Sequence, residues 1–195
     1  MPLPTEDGWL QAQSALAGQE WARSGWRCVL TRPEQWHLTW FFLNRVEDDQ
    51  VAEVEAAMEN AVESIRLADC DPAFRLAGVG CFAGPVWAGI EFRSRKFAEL
   101  LRDARSELEV LGFETRGRFR PHVTLGRIKP DIASDDVVTE LTSGSLKRAA
   151  RTWFDQHRGL SGEWVENPEF VLIESIVSHE GAEHISRGRW SLVRG

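Results

Sequence analysis

From Gln35 to Leu43 the chain alternates strictly: Trp36, Leu38, Trp40 and Phe42 share one parity, and His37, Thr39 and Phe41 the other. Period-two patterning of this kind predicts a strand with one buried face, and it constrains the fold more than any other stretch. A second run, Phe119 to Ile128, is built the same way around His122-Val123-Thr124. Residues i and i+2 of an extended chain point to one face, so each run presents an imidazole beside a hydroxyl. Helical patterns lie between the two runs, so the chain is expected to mix strands and helices in an α+β arrangement.

The other elements follow from periodicity and punctuation. A helix is expected from Thr5, as N-cap, to about Arg23, then a short strand from Trp26 to Leu30 and a turn at Arg32-Pro33-Glu34. From Glu47 to about Ala68 the apolar positions Val51, Val54, Met58, Val62 and Ile65 fall at helical spacing, and Pro72 stops the pattern. Phe74–Phe82 and Val86–Phe92 read as a hairpin around Ala83-Gly84-Pro85. Ser94 to Leu111 reads as a helix ended by Gly112, and Ser134 to Leu141 as another. Ser143 to Asn167 is ambiguous, a helix followed by a loop being one solution. Strands from Glu169 to Ser178 and from His184 to Val193 close the chain around Gly181. In both halves a His-x-Thr strand precedes a helix, which hints at a pseudo-twofold pair of lobes, although identity between the halves is too weak to establish duplication.

Composition narrows the function. At 195 residues the chain fits one domain, 1–195, with room for two lobes. No apolar run is long enough to span a bilayer and the N-terminus has no secretory pattern, so residence in the cytoplasm, without membrane association, is expected. Nothing demands an oligomer, and a monomer is the expectation. Cys28, Cys70 and Cys81 are dispersed and form no Cys-x-x-Cys, which supports neither a disulfide framework nor a zinc knuckle; small buried side chains are expected instead. The net charge of −7 disfavours wrapping of duplex DNA. Yet from Thr115 to Pro130 there is no carboxylate, while Arg116, Arg118, Arg120, Arg127 and Lys129 surround the second motif. Such a local field suits capture of an anionic substrate.

Two imidazoles and two hydroxyls suit a strained cyclic phosphodiester. Ring opening needs a base to activate water and an acid for the departing oxygen, and histidine serves either role near neutral pH. Threonine hydroxyls and an arginine hold the phosphoryl oxygens. One His-x-Thr among five histidines would be accidental; two are telling. Both have an aliphatic middle residue and both follow closely on Arg-Pro, at Arg32-Pro33 and Arg120-Pro121.

On these residues the chain resembles the 2H phosphoesterase superfamily, and within it the RNA 2′,3′-cyclic phosphodiesterases, also called 2′-5′ RNA ligases. The matching segments are Pro2-Leu3-Pro4, Pro33 to Thr39 with Phe42-Leu43, Trp87-Ala88-Gly89, Leu111-Gly112-Phe113, and Phe119 to Leu125 with Arg127. The resemblance implies a bilobal fold with two antiparallel sheets lining a central cleft and helices packed outside. It implies no metal, no cofactor, and hydrolysis of RNA 3′ ends bearing a 2′,3′-cyclic phosphate to 2′-phosphate ends. It makes His37 the general acid and His122 the general base, with roles that exchange in the reverse reaction. Thr39, Thr124 and Arg127 would contact phosphate, with Arg120 beside them. Rival readings are a 2H phosphoesterase for small cyclic nucleotides or 2′-5′ linked oligonucleotides, and a catalytically weak nucleotide- or RNA-binding module.

Some features depart from the family pattern. Relatives carry a strand ahead of the Pro-Leu-Pro segment, whereas Met1 directly precedes Pro2 here: either the given start lies downstream of the true one, or the sheet lacks a strand. Relatives often carry lysine where Phe41 stands, and Phe41 either stacks on a base or packs at the cleft wall. The 143–167 stretch is longer than the usual link and reads as an added surface element or, less readily, a lid. His37 is expected among aromatics, on the nucleoside side, and His122 on the phosphate side. Arg127, five residues after His122, faces away from it by strict alternation unless Gly126 permits an irregularity. His157, His179 and His184 are expected as surface histidines with no part in the site.

Overall fold

A computed structural model describes residues 3, 6–17, 25–43, 45–110, 112–113, 119–130, 142–178 and 181–193. In chain order the regular elements are α1 (Asp7–Leu16), β1 (Trp26–Leu30), α2 (Val51–Leu67), β2 (Phe74–Cys81), β3 (Pro85–Phe92), α3 (Arg95–Val110), β4 (His122–Pro130), α4 (Ser143–Ala149), α5 (Arg151–His157), β5 (Glu169–Ser178) and β6 (Gly181–Ser191), with 3-10 turns at Pro33–Gln35 and Asp48–Gln50. They form two antiparallel sheets, one of four strands in the order β1-β4-β3-β2 and one made of the β5–β6 hairpin. This is the expected α+β class with two sheets.

Each sheet has its own core. The first gathers Trp9, Leu16, Trp26, Trp36, Val86, Val123, Leu125, Leu146 and Trp153 between the four-stranded sheet and α1, α4 and α5. The second gathers Trp40, Val54, Met58, Ile65, Phe97, Leu101 and Leu108, with Phe170, Leu172 and Trp190 of the hairpin packed against it. Helices α2 and α3 build this second core because their apolar residues recur at three and four positions, so one face of each is buried. Tryptophans dominate the first core, where truncating one costs about 3–5 kcal/mol.

Several expectations change. The strand expected from Gln35 to Leu43 is not one. Its start is the 3-10 turn, and the rest is extended chain tied to the sheet by a single bridge, Leu38 to Val123. The reason lies in its two tryptophans. Trp36 is buried in the first core and its indole N–H donates to the Thr31 carbonyl (3.3 Å). Trp40 is buried in the second and donates to the Leu101 carbonyl of α3 (2.9 Å). The segment crosses from one core to the other and so cannot run flush along β4.

Helix α1 has Glu6 as its N-cap and Ala17 as its C-cap, ending well before Arg23. Thr5, the stretch 18–24 and the helix expected from Ser134 to Leu141 lie outside the described residues, as do Arg116, Arg118 and His179. Strand β4 begins at His122, not Phe119, and extends to Pro130.

The 143–167 stretch forms two short helices broken at Ala150, followed by a segment that bridges β2 at Val165–Phe74 and Ser161–Ala77. It is no surface addition: Leu146, Ala150 and Trp153 are buried in the first core, and the Trp153 indole N–H donates to the Ala12 carbonyl (2.9 Å). His157 stacks on Trp153 and bonds its carbonyl. The hairpin's return strand starts at Gly181, three residues earlier than expected. Cys81 is buried, while Cys28 and Cys70 are half-buried.

Candidate active site

Val123 is fully buried, Leu38 packs against the same core, and the two are antiparallel partners. That bridge sets the geometry of both motifs. In an antiparallel pair the residues flanking a bridge oppose one another, so His37 lies across from Thr124 and Thr39 across from His122. Because Leu38 and Val123 point into the core, their flanking neighbours point to the other face. The two motifs therefore do not confront one another from separate strands across a gap. They lie side by side at one isolated bridge, with both imidazoles and both hydroxyls flanking it on the open face. The histidines occupy diagonal positions, whose backbone separation is about 7–8 Å in such a pair.

The two rings are held alike. Nδ1–H of His37 donates to the Gln35 carbonyl (2.8 Å), and Nδ1–H of His122 donates to the Arg120 carbonyl (2.6 Å). A carbonyl oxygen only accepts, so Nδ1 carries the proton in each ring. Each Nε2 is then left to exchange protons: a lone pair in the neutral ring, a donor in the imidazolium. Sequence pattern does not reveal these carbonyls as ring partners. The signal available was positional only, since each is the residue two before its histidine.

Arg127 rests on a bulge. Along β3 the register runs Val86 to Gly126 and then Trp87 to Thr124, leaving Leu125 as an extra residue in β4. Leu125 and Gly126 are both buried, after which Arg127 is exposed and Ile128 buried. The bulge resets the alternation, so Arg127 takes the face of His122 and Thr124. Gly126 makes this possible by its size. A Cβ there would stand 3.0 Å from the Cys28 sulfur and 3.2 Å from the Val29 carbonyl oxygen.

The aromatic surroundings expected for His37 are found at His122. Phe82 meets His122 edge to face (5.1 Å between centroids), and Trp87 lies 6.1 Å away. Trp87 is kept there by lying over Gly80, where any Cβ would collide with its ring. The ring neighbour of His37 is instead another histidine, His184 of β6, at 6.2 Å. Phe41 packs against the second core, beside Trp40 (5.9 Å) and with the Arg105 guanidinium 5.8 Å from its ring. Thr39 and Arg120 are exposed, and Thr124 is half-buried. Among the described residues no group of three or more His, Cys, Asp and Glu side chains is arranged to hold a metal ion, and no helix is long and apolar enough to cross a membrane.

No family model matches the chain. Over 112 residues it is 29% identical to an RNA 2′,3′-cyclic phosphodiesterase of Thermotoga maritima, a match covering 55% of this chain and 57% of the relative. The match thus spans under two thirds of that relative's length. Among solved structures, TT0787 of Thermus thermophilus superposes with a TM-score of 0.60 at 24% identity, covering 98% of this chain and 94% of that one. E. coli LigT complexed with 3′-AMP superposes with a TM-score of 0.51 at 18% identity, covering 93% and 91%. Over about half its length, then, the chain is similar in sequence to RNA 2′,3′-cyclic phosphodiesterases, and it shares its fold with TT0787 and LigT.

Proposed function

We propose that the chain is a metal-independent phosphodiesterase that opens 2′,3′-cyclic phosphate ends of RNA to 2′-phosphates. The observation that carries this reading is the Leu38–Val123 bridge, which gathers two imidazoles and two hydroxyls on one open face. In-line displacement places the attacking and leaving oxygens on opposite sides of phosphorus. A diagonal pair of histidines suits that requirement, with one ring on each side.

In the proposed reaction a water oxygen bonds to phosphorus while the bond from phosphorus to the ribose 3′ oxygen breaks. Nε2 of neutral His122 takes a proton from the water, and Nε2 of protonated His37 gives one to the 3′ oxygen. The Nδ1–H bonds to the Arg120 and Gln35 carbonyls fix ring orientation in both protonation states. Thr39 and Thr124 donate to non-bridging oxygens, and Arg127, on the same face, offsets their charge. Phe82 and Trp87, beside His122, offer apolar surface for the nucleoside.

The test is incubation with 2′,3′-cyclic AMP and with a short RNA ending in a cyclic phosphate, in the presence and absence of EDTA. The expected outcome is a 2′-phosphate product from the RNA, unaffected by EDTA. Turnover of the mononucleotide alone would move the reading to a small-nucleotide phosphodiesterase. Binding of both without turnover would leave a nucleotide-binding module, and loss of activity with EDTA would refute the metal-free mechanism.

A further inference from the structure

A ring beside His37 belongs to the other lobe. His184 lies on β6 with its ring centroid 6.2 Å from that of His37 and the planes at 67°. Its cross-strand partner is Ser175 of β5, and the Ser175 hydroxyl shares a hydrogen bond with His184 Nδ1 (3.0 Å). The hairpin therefore carries a third imidazole–hydroxyl pair and brings it to the first. Nδ1 of His37 is likewise occupied, by the Gln35 carbonyl. The Nε2 atoms of both rings have no protein partner among the described residues.

The charges around this pair are one-sided. Among the described residues no carboxylate pairs with His184 or His37. The nearest acid along β5, Glu174, alternates to the opposite face from Ser175 and is held in an ion pair by Arg187 of β6. From the motif segment the group that faces His184 is His37 itself. An anion between them would satisfy both free nitrogens at once.

We propose that His184, oriented by Ser175, is a further contact for the substrate phosphate on the His37 side, supplied by the β5–β6 lobe. This rests on the phosphodiesterase reading for the identity of the anion, an esterified ribose phosphate. It gives the second lobe a direct part in binding, and a charged imidazole there would hold the anion more tightly than a neutral one.

The experiment is calorimetric titration of the full chain with 2′-AMP at pH 6 and pH 8, alongside kinetics on 2′,3′-cyclic AMP. His184→Ala is expected to weaken 2′-AMP binding about tenfold at pH 6, the size of a lost charged hydrogen bond, and less at pH 8. In the kinetics its effect falls on KM more than on kcat. His184→Gln, which keeps a donor without a titrating charge, is expected to recover part of the affinity and to flatten its dependence on pH. Ser175→Ala is expected to fall between wild type and His184→Ala. Equal binding by wild type and His184→Ala at pH 6, or no binding of 2′-AMP by the wild type, overturns the proposal. Absence of turnover by the wild type counts against the phosphodiesterase reading alone, because the binding comparison is read without catalysis.

Discussion

The two His-x-Thr motifs carry the same chemistry in different mechanical settings. His122-Val123-Thr124 lies on β4 of the four-stranded sheet, laddered to Trp87, Ala88 and Gly89 of β3, while β1 pairs further along the same strand from Gly126 to Pro130. His37-Leu38-Thr39 lies on an extended segment joined to that sheet by one bridge and pinned at its ends by Trp36 and Trp40 in separate cores. His122 is half-buried against Phe82 and Trp87, whereas His37 is exposed and meets a histidine of the other lobe. One imidazole is thus set by a sheet, and the other by how two cores sit relative to each other. A ladder of hydrogen bonds opens only with the sheet, while a segment with a single bridge opens locally at lower cost. The sheet-bound motif is thereby held more firmly than the bridged one.

The largest effects should come from the imidazoles. His37→Ala and His122→Ala should each lower kcat on a 2′,3′-cyclic phosphate by about 10²–10⁴, with the melting temperature within a few degrees of wild type, as followed by circular dichroism. Survival of activity in either would break the equivalence of the pair. Next come the hydroxyls: Thr39→Ala and Thr124→Ala should each lose about 10–100-fold in kcat/KM, the scale of a hydrogen bond to a charged group. If Thr124→Ala costs much more than Thr39→Ala, the sheet-bound motif holds the phosphate more firmly, and the comparison is sharpened.

The site was legible in sequence as far as local pattern reaches. Alternation places His37 with Thr39 and His122 with Thr124, but it leaves open whether Gly126 permits the irregularity that sets Arg127 on their face. The partnership of Leu38 with Val123 was beyond it, because strand pairing at such separation is decided by tertiary packing and leaves no local trace. The same limit hid His184. Its place beside His37 depends on how the β5–β6 hairpin docks on the second core through Phe170, Leu172 and Trp190. The misread strand from Gln35 to Leu43 has a related cause. Its pattern is that of a half-buried strand, but its two tryptophans serve two different cores, and periodicity does not distinguish one buried face from two.

Smaller effects probe the sheet-bound motif through its packing. Gly126→Ala puts a Cβ against the Cys28 sulfur and the Val29 carbonyl oxygen, so β1 or the bulge must shift. A loss of about 1–3 kcal/mol in stability is expected from urea unfolding, together with a fall in kcat/KM as Arg127 is displaced. Loss of stability without loss of activity would show that Arg127 does not depend on the bulge for its role.

The smallest effect concerns Cys28, which sits beneath Gly126 on the strand next to the second motif. Burial pushes its thiol up to about 11. A thiol is nucleophilic only as thiolate, so Cys28 in the folded chain should resist iodoacetamide at pH 8 and react once urea opens the sheet. The raised value also has a sign for stability. The folded chain holds the proton more tightly than the unfolded one, so this contribution is intact below about pH 8.5, the ordinary thiol value, and is lost as pH rises toward 11. Labelling measured by mass spectrometry across increasing urea checks the point. If Cys28 is alkylated in native buffer as fast as in urea, β1 opens locally from β4, and the sheet-bound motif is no more rigid than the bridged one.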